Sequence, residues 1–134
     1  MRGVIIRDGT EPGGRGGLDF DLAEVLQALG ERVTTSWWRG RGLWYICRDD
    51  ADIEPLQRVA AGALVAGYEL VSILPRLLQV IDGEFEGIVA EGELPWVVVR
   101  AVDSSWWEVL SDKPEVLEAV RASFRSVEDL PNPV

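Results

Sequence analysis

Carboxylates are the side chains of this sequence best placed to do chemistry. The densest group is Ile81-Asp82-Gly83-Glu84-Phe85-Glu86-Gly87, followed by Glu91 and Glu93, with Asp103 and Glu108 further along. Two carboxylates about 5–10 Å apart in a cleft can share general acid and base work, as in glycoside hydrolysis. Asp82, Glu84, Asp103 and Glu108 are the residues available for such a pair. If 84–89 is a strand, Glu84 and Glu86 share one face and Phe85 takes the other. Like charges on one face repel, so docking is a second use of the group, with a partner's Arg or Lys relieving the repulsion. The bland reading is a solvated edge strand whose charge discourages aggregation.

Other catalytic chemistries lack their residues. The chain has no histidine, which excludes Ser-His-Asp and Cys-His nucleophiles, imidazole acid/base catalysis and His-ligated zinc. Its one cysteine, Cys47, excludes an internal disulfide and reads as a small buried apolar residue. The stretch Gly9 to Gly14 has P-loop glycine spacing, but Arg15-Gly16 stand where lysine and a hydroxyl are needed. A dinucleotide fingerprint starting at Gly14 fails at Asp19, whose charge opposes pyrophosphate. Asp49-Asp50-Ala51-Asp52 opens like a calcium loop, yet Pro55 occupies the position that demands glycine. No catalytic residue, cofactor or metal site is therefore expected, and an enzyme is the less favoured reading.

The six tryptophans include two adjacent pairs, Trp37-Trp38 and Trp106-Trp107. Neighbours in a strand point to opposite faces, so one ring of each pair should reach the surface unless helices cover both sides. An exposed tryptophan beside carboxylates has the make-up of a binding hot spot. Bulk core filling is the plainer use of each individual ring.

Charge is segregated along the chain. Residues 1–48 hold seven Arg against six Asp/Glu, whereas residues 49–134 hold six Lys/Arg against 17 Asp/Glu, giving −10 overall. That surplus argues against nucleic-acid binding and anionic membranes and favours a basic protein partner. The Arg/Trp block 37–45 fits single-stranded nucleic acid only in miniature; stacking on tryptophan or ion pairs with the acidic half account for its arginines. The longest apolar stretch, 59–81, is broken by Glu69, Pro75 and Arg76, too many interruptions for a membrane span. A cytoplasmic location is expected.

The elements that must position these residues read as follows. A strand at 3–7 runs into the glycine-rich loop. A helix then carries Leu22, Val25, Leu26 and Leu29, capped by Asp19 or Asp21 and ended by Gly30. Two strands, 32–38 and 43–48, are expected to turn at Arg39-Gly40-Arg41-Gly42. A helix starting near Asp52 and Pro55 should carry Leu56, Val59, Ala60, Ala63 and Leu64. Region 68–82 reads either as a strand 68–71 with a helix 73–81, or as one helix kinked at Pro75. Strands follow at 84–89, 96–102 and 106–110, the last two joined by Asp103-Ser104-Ser105 so that Arg100 faces Glu108. A final helix begins at the box Asp112-Lys113-Pro114-Glu115 and presents Val116, Leu117, Val120 and Phe124.

Paired strands separated by single helices imply an α+β class, one domain over 1–127 with a mainly antiparallel sheet and helices packed on it. Residues 128–134, with two prolines, read as a flexible tail. In size and charge the chain is similar to small acidic immunity proteins and inhibitors that neutralise basic toxins, an analogy of bulk properties rather than of residues. The favoured reading is a non-enzymatic domain docking a basic partner through Asp82, Glu84, Glu86, Asp103 and Glu108, anchored by Trp106 or Trp107. The alternatives are a carboxylate-using ligand-binding domain or enzyme with a Trp-lined pocket, and a homo-oligomer, such as a homodimer, that buries its surplus tryptophan.

Overall fold

Apolar residues at alternate positions of strands from both halves of the chain, around an almost wholly apolar central strand, build one sheet. The computed structural model describes residues 1–9, 17–48 and 52–131. Among these residues seven strands are all paired antiparallel: β1 (Arg2–Ile6), β2 (Trp37–Cys47), β3 (Val65–Ala66), β4 (Leu77–Ile88), β5 (Val97–Val102), β6 (Trp106–Ser111) and β7 (Val127–Asp129). Their spatial order is β3-β2-β4-β5-β6-β1-β7. Among the described residues five α-helices accompany the sheet: α1 (Leu22–Leu29), α2 (Arg32–Thr35), α3 (Glu54–Ala60), α4 (Gly67–Ile73) and α5 (Pro114–Ser123). This is the α+β architecture that the sequence implies, and the almost wholly apolar β5 is its central strand. Among the described residues no helix is long and apolar enough to cross a membrane.

The helices lie on one face. Val4, Ile6, Phe85, Val97, Val99, Trp107 and Val109 form a single core with Leu22, Val25 and Leu26 of α1, Leu56 and Val59 of α3, Leu70 and Ile73 of α4, and Val116, Leu117 and Val120 of α5. Burying these side chains is the main stabilising contribution, about 1.5–3 kcal/mol for each large aliphatic or aromatic group. Strand alternation then forces Ile5, Arg39, Arg41, Glu84, Glu86, Val98, Arg100 and Glu108 onto the opposite, helix-free face.

Several local expectations are corrected. Of the expected strand 32–38 only Trp37 and Trp38 belong to a strand, as the start of β2. Arg32–Thr35 form a helical turn despite three β-branched residues, because its end is held by tertiary bonds. The Trp38 indole N–H donates to the Val33 carbonyl at 2.9 Å, and the Gly67 N–H donates to the Ser36 carbonyl at 2.8 Å. Nor does Arg39–Gly42 reverse the chain. β2 runs straight through it, and Gly42 at φ +63° inserts an extra residue, shifting the register against β4 between Arg41 and Trp44. The segment is a bulge in one long strand rather than a hairpin tip.

The remaining corrections concern length. α3 ends at Ala60 rather than carrying Ala63 and Leu64. Region 68–82 follows neither expected alternative: α4 leads into a 3-10 turn, Leu74–Arg76, and β4 begins at once with Leu77. Pro75 is compatible with the first turn of that short helix and cannot continue a longer one. The Arg48 N–H donates to the Arg76 carbonyl at 2.9 Å, drawing the chain back into the sheet. At α5, Asp112 does not cap. Lys113 is the cap residue, its N–H donates to Ser111 Oγ at 3.1 Å, and Asp112 pairs with the N-terminal ammonium at 3.2 Å. The supposed tail contributes β7, and the Leu130 N–H donates to the Gly3 carbonyl at 2.9 Å, so the sheet includes residues beyond 127.

Other expectations stand. Asp21 is the α1 cap residue, with its N–H donating to Glu24 Oε1 at 2.7 Å, and Gly30 follows the helix at φ +84°. The turn Asp103-Ser104-Ser105 joins β5 to β6 with Asp103 and Ser104 both at positive φ. Most of the glycine loop (10–16), the start of the calcium-like stretch (49–51) and the last three residues (132–134) lie outside the described residues.

Candidate functional site

The register places the charged residues of the helix-free face in a row. Arg41 is opposite Glu84, Glu84 opposite Arg100, Arg100 opposite Glu108, Glu108 opposite Ile5, and Ile5 opposite Glu128. Signs alternate along the first four positions, so each carboxylate meets a cation across the strands. Arg100 Nε lies 2.7 Å from Glu84 Oε1 and its Nη1 lies 3.5 Å from Glu108 Oε1. The expected Arg100–Glu108 pairing is present. One row on, Glu86 is held between Arg39 at 3.0 Å and Arg41 at 3.5 Å.

These pairs change the meaning of the acidic group. Glu84, Glu86 and Glu108 keep only 18, 13 and 14% of their side-chain surface exposed, under the arginines that neutralise them. The segregation along the sequence is undone in space, because Arg39 and Arg41 come from the near-neutral half and Glu86 from the acidic one. For Arg100, burial acts to lower the guanidinium pKa, but its bonds to Glu84 and Glu108 outweigh that and leave it raised. Such a ladder is a structural part of the face and presents no free acidic patch.

The two Trp pairs divide as strand geometry requires: Trp38 and Trp107 are buried, and Trp37 and Trp106 reach the other side. Trp107 therefore cannot act as a surface anchor; it packs in the core beside Phe20. Trp106 is half-buried and engaged within the face. Its Nε1–H donates to Glu108 Oε2 at 3.0 Å, and Arg7 lies 5.1 Å above its ring.

Asp82 and Asp103 behave differently from the three glutamates. Both are exposed, and neither makes an ion pair among the described residues. They meet where the β5–β6 turn reaches β4, the Asp103 N–H donating to Asp82 Oδ1 at 3.2 Å. Opposite Asp82 in the β2–β4 register stands Trp44, 62% exposed, with the 45% exposed Ile46 two residues on. Of the sequence-selected residues, then, the structure brings Asp82 and Asp103 together at one end of the open face and ties Glu84, Glu86, Glu108 and Trp106 into the ladder. Trp44 is the missed member. Its side cannot be read by alternation from Trp38, because the extra residue at the bulge reverses the phase: Arg41 faces outward and Leu43 packs on the core.

The chain matches no known family model, no curated protein and no solved structure. Cys47 packs against the core at its edge, and burial pushes its thiol pKa up, which makes it a poorer nucleophile. Among the described residues no group of three metal-ligating side chains converges. The groove between the helices and the start of β4 has no tryptophan among its described lining residues, whereas a smaller depression beside β2 is lined by Trp37 together with Arg39 and Glu91.

Proposed function

We propose that this protein is a non-enzymatic binding domain that docks a basic protein partner through the Trp44 end of its helix-free face. The observation that supports this most directly is the grouping of an exposed indole, Trp44, with two exposed carboxylates, Asp82 and Asp103, that no cation of the described chain neutralises. An Arg or Lys from a partner would stack on the indole face and ion-pair with the carboxylates, a combination typical of interface hot spots. Ile46 adds apolar area next to it. The ion-pair ladder serves as a rigid, charge-balanced platform, and the net charge of −10 draws a basic partner in from a distance.

The salt dependence of the complex tests this reading. Adding salt should slow association strongly and change dissociation little, because long-range steering is screened first. A partner that associates equally fast in low and high salt contradicts it.

A further inference from the structure

A separate feature lies on the helical side. α1 and α2 on one side and the stretch from Val71 to Leu78 on the other frame a groove of about 810 Å³. Its walls are apolar, with Leu26 and Val33 on one side and Leu74 and Leu77 on the other. Three carboxylates, Asp21, Glu24 and Glu31, also line it, against the single guanidinium of Arg48 among the described residues. Arg48 is already engaged, its Nε–H donating to the Pro75 carbonyl at 3.0 Å. Asp21 accepts the Val80 N–H at 3.1 Å, and Glu24 accepts the Asp21 N–H at 2.7 Å. Each carboxylate keeps lone pairs free after these bonds.

We infer that this groove binds a small amphipathic cation: an ammonium group carried on an apolar body. The volume falls within the range of small-molecule sites, roughly 300–1,000 Å³. The apolar walls fit the body of such a ligand, and the surplus of carboxylates selects the sign of its head group. Partial burial already pushes the Asp21 carboxyl above its ordinary value, so a cation beside it would relieve an existing electrostatic cost. An anion would meet three like charges, and a neutral apolar molecule would leave them unused.

The test uses the full chain and three probes of similar shape: 2-phenylethylamine, 2-phenylethanol and 3-phenylpropionate, each titrated while methyl spectra are recorded. The amine should shift the methyls of Leu26, Val33, Leu74 and Leu77 and bind at least about tenfold tighter than the alcohol. The carboxylate should not bind. Glu24→Gln with Glu31→Gln should bring the amine to the level of the alcohol while leaving the alcohol unchanged. Leu78→Lys, at the exposed rim, should weaken the amine more than the alcohol. Equal affinity for amine and alcohol, tighter binding of the carboxylate, or no groove shifts with any probe would overturn the proposal. So would concentration-dependent dimerisation with the groove methyls at the interface, since a second copy would then be the occupant.

Discussion

Arg100 stands between two carboxylates on the helix-free face, its Nε 2.7 Å from Glu84 across one strand pair and its Nη1 3.5 Å from Glu108 across the other. Removing the cation leaves two mostly covered carboxylates with no partner across β5. Arg100→Met should cost about 1–2 kcal/mol, with part of the loss disappearing in high salt. Chemical denaturation of Arg100→Met, Glu84→Gln and the double variant measures this. Additive single effects would show that the pair is not coupled.

Asp21 gives a pH prediction. Its carboxyl pKa is raised chiefly by burial, with the Leu22 and Val80 amides pulling the other way. A carboxyl whose folded pKa exceeds its unfolded value binds more protons in the folded state, so its ionisation costs stability as pH rises through the folded value. Asp21→Asn keeps an acceptor for the Val80 N–H and removes that charge. Relative to the variant, the native protein should gain stability as pH falls from neutral toward the ordinary carboxylate value of 3.8. Melting curves across that window, flat in their difference, would contradict the assignment.

A buried carboxylate outside the site, Asp8, holds the junction between α5 and β7. Its Oδ2 accepts the Arg125 N–H at 2.9 Å and its Oδ1 accepts the Ser126 N–H at 2.6 Å. Asp8→Ala should cost about 2–4 kcal/mol, because two amides lose their acceptor in a covered position. Asp8→Asn should be nearly as harmful, since its amide nitrogen would face one of those donors. Hydrogen exchange at residues 127–129 should accelerate in both variants, and unchanged protection there would refute the role.

Gly67 is required by a close approach. A Cβ at this position would collide with the Val33 carbonyl oxygen, and its N–H is bonded to the Ser36 carbonyl. Gly67→Ala should therefore cost about 3 kcal/mol or more. Gly62→Ala, where a Cβ meets open space but φ is +90°, should cost only about 1 kcal/mol. Urea denaturation of the two variants checks the ranking, and equal costs would contradict it.

How much of this was legible in the sequence depends on the range of the forces involved. Helix α1 and strands β5 and β6 follow from local periodicity, and the Arg100–Glu108 pairing follows from the length of one turn. At α2 and β2 the sequence signals are local while the deciding bonds are tertiary, so they point to the wrong elements. Val33, Thr34 and Thr35 favour a strand until Trp38 and Gly67 bond to the helical turn. Gly40 and Gly42 suggest a hairpin, yet the long partner strand β4 keeps β2 extended through them. The candidate site suffers from the same gap. Asp82 and Asp103 are visible as acidic residues, but their separation from Glu84, Glu86 and Glu108 depends on where Arg39, Arg41 and Arg100 fall in the sheet. Trp44 is assigned to the same face only by the phase change at the bulge.

The most direct measurement compares two baits in affinity capture from the native source at low salt: the native protein and a Trp44→Ala, Asp82→Asn, Asp103→Asn variant, whose changes all lie on exposed positions. The native bait should retain a basic protein that elutes with salt. The variant should lose it, with Trp44→Ala alone weakening the purified complex by about 2 kcal/mol or more. Equal retention by both baits, or a partner that is acidic and insensitive to salt, would contradict the assignment of this face.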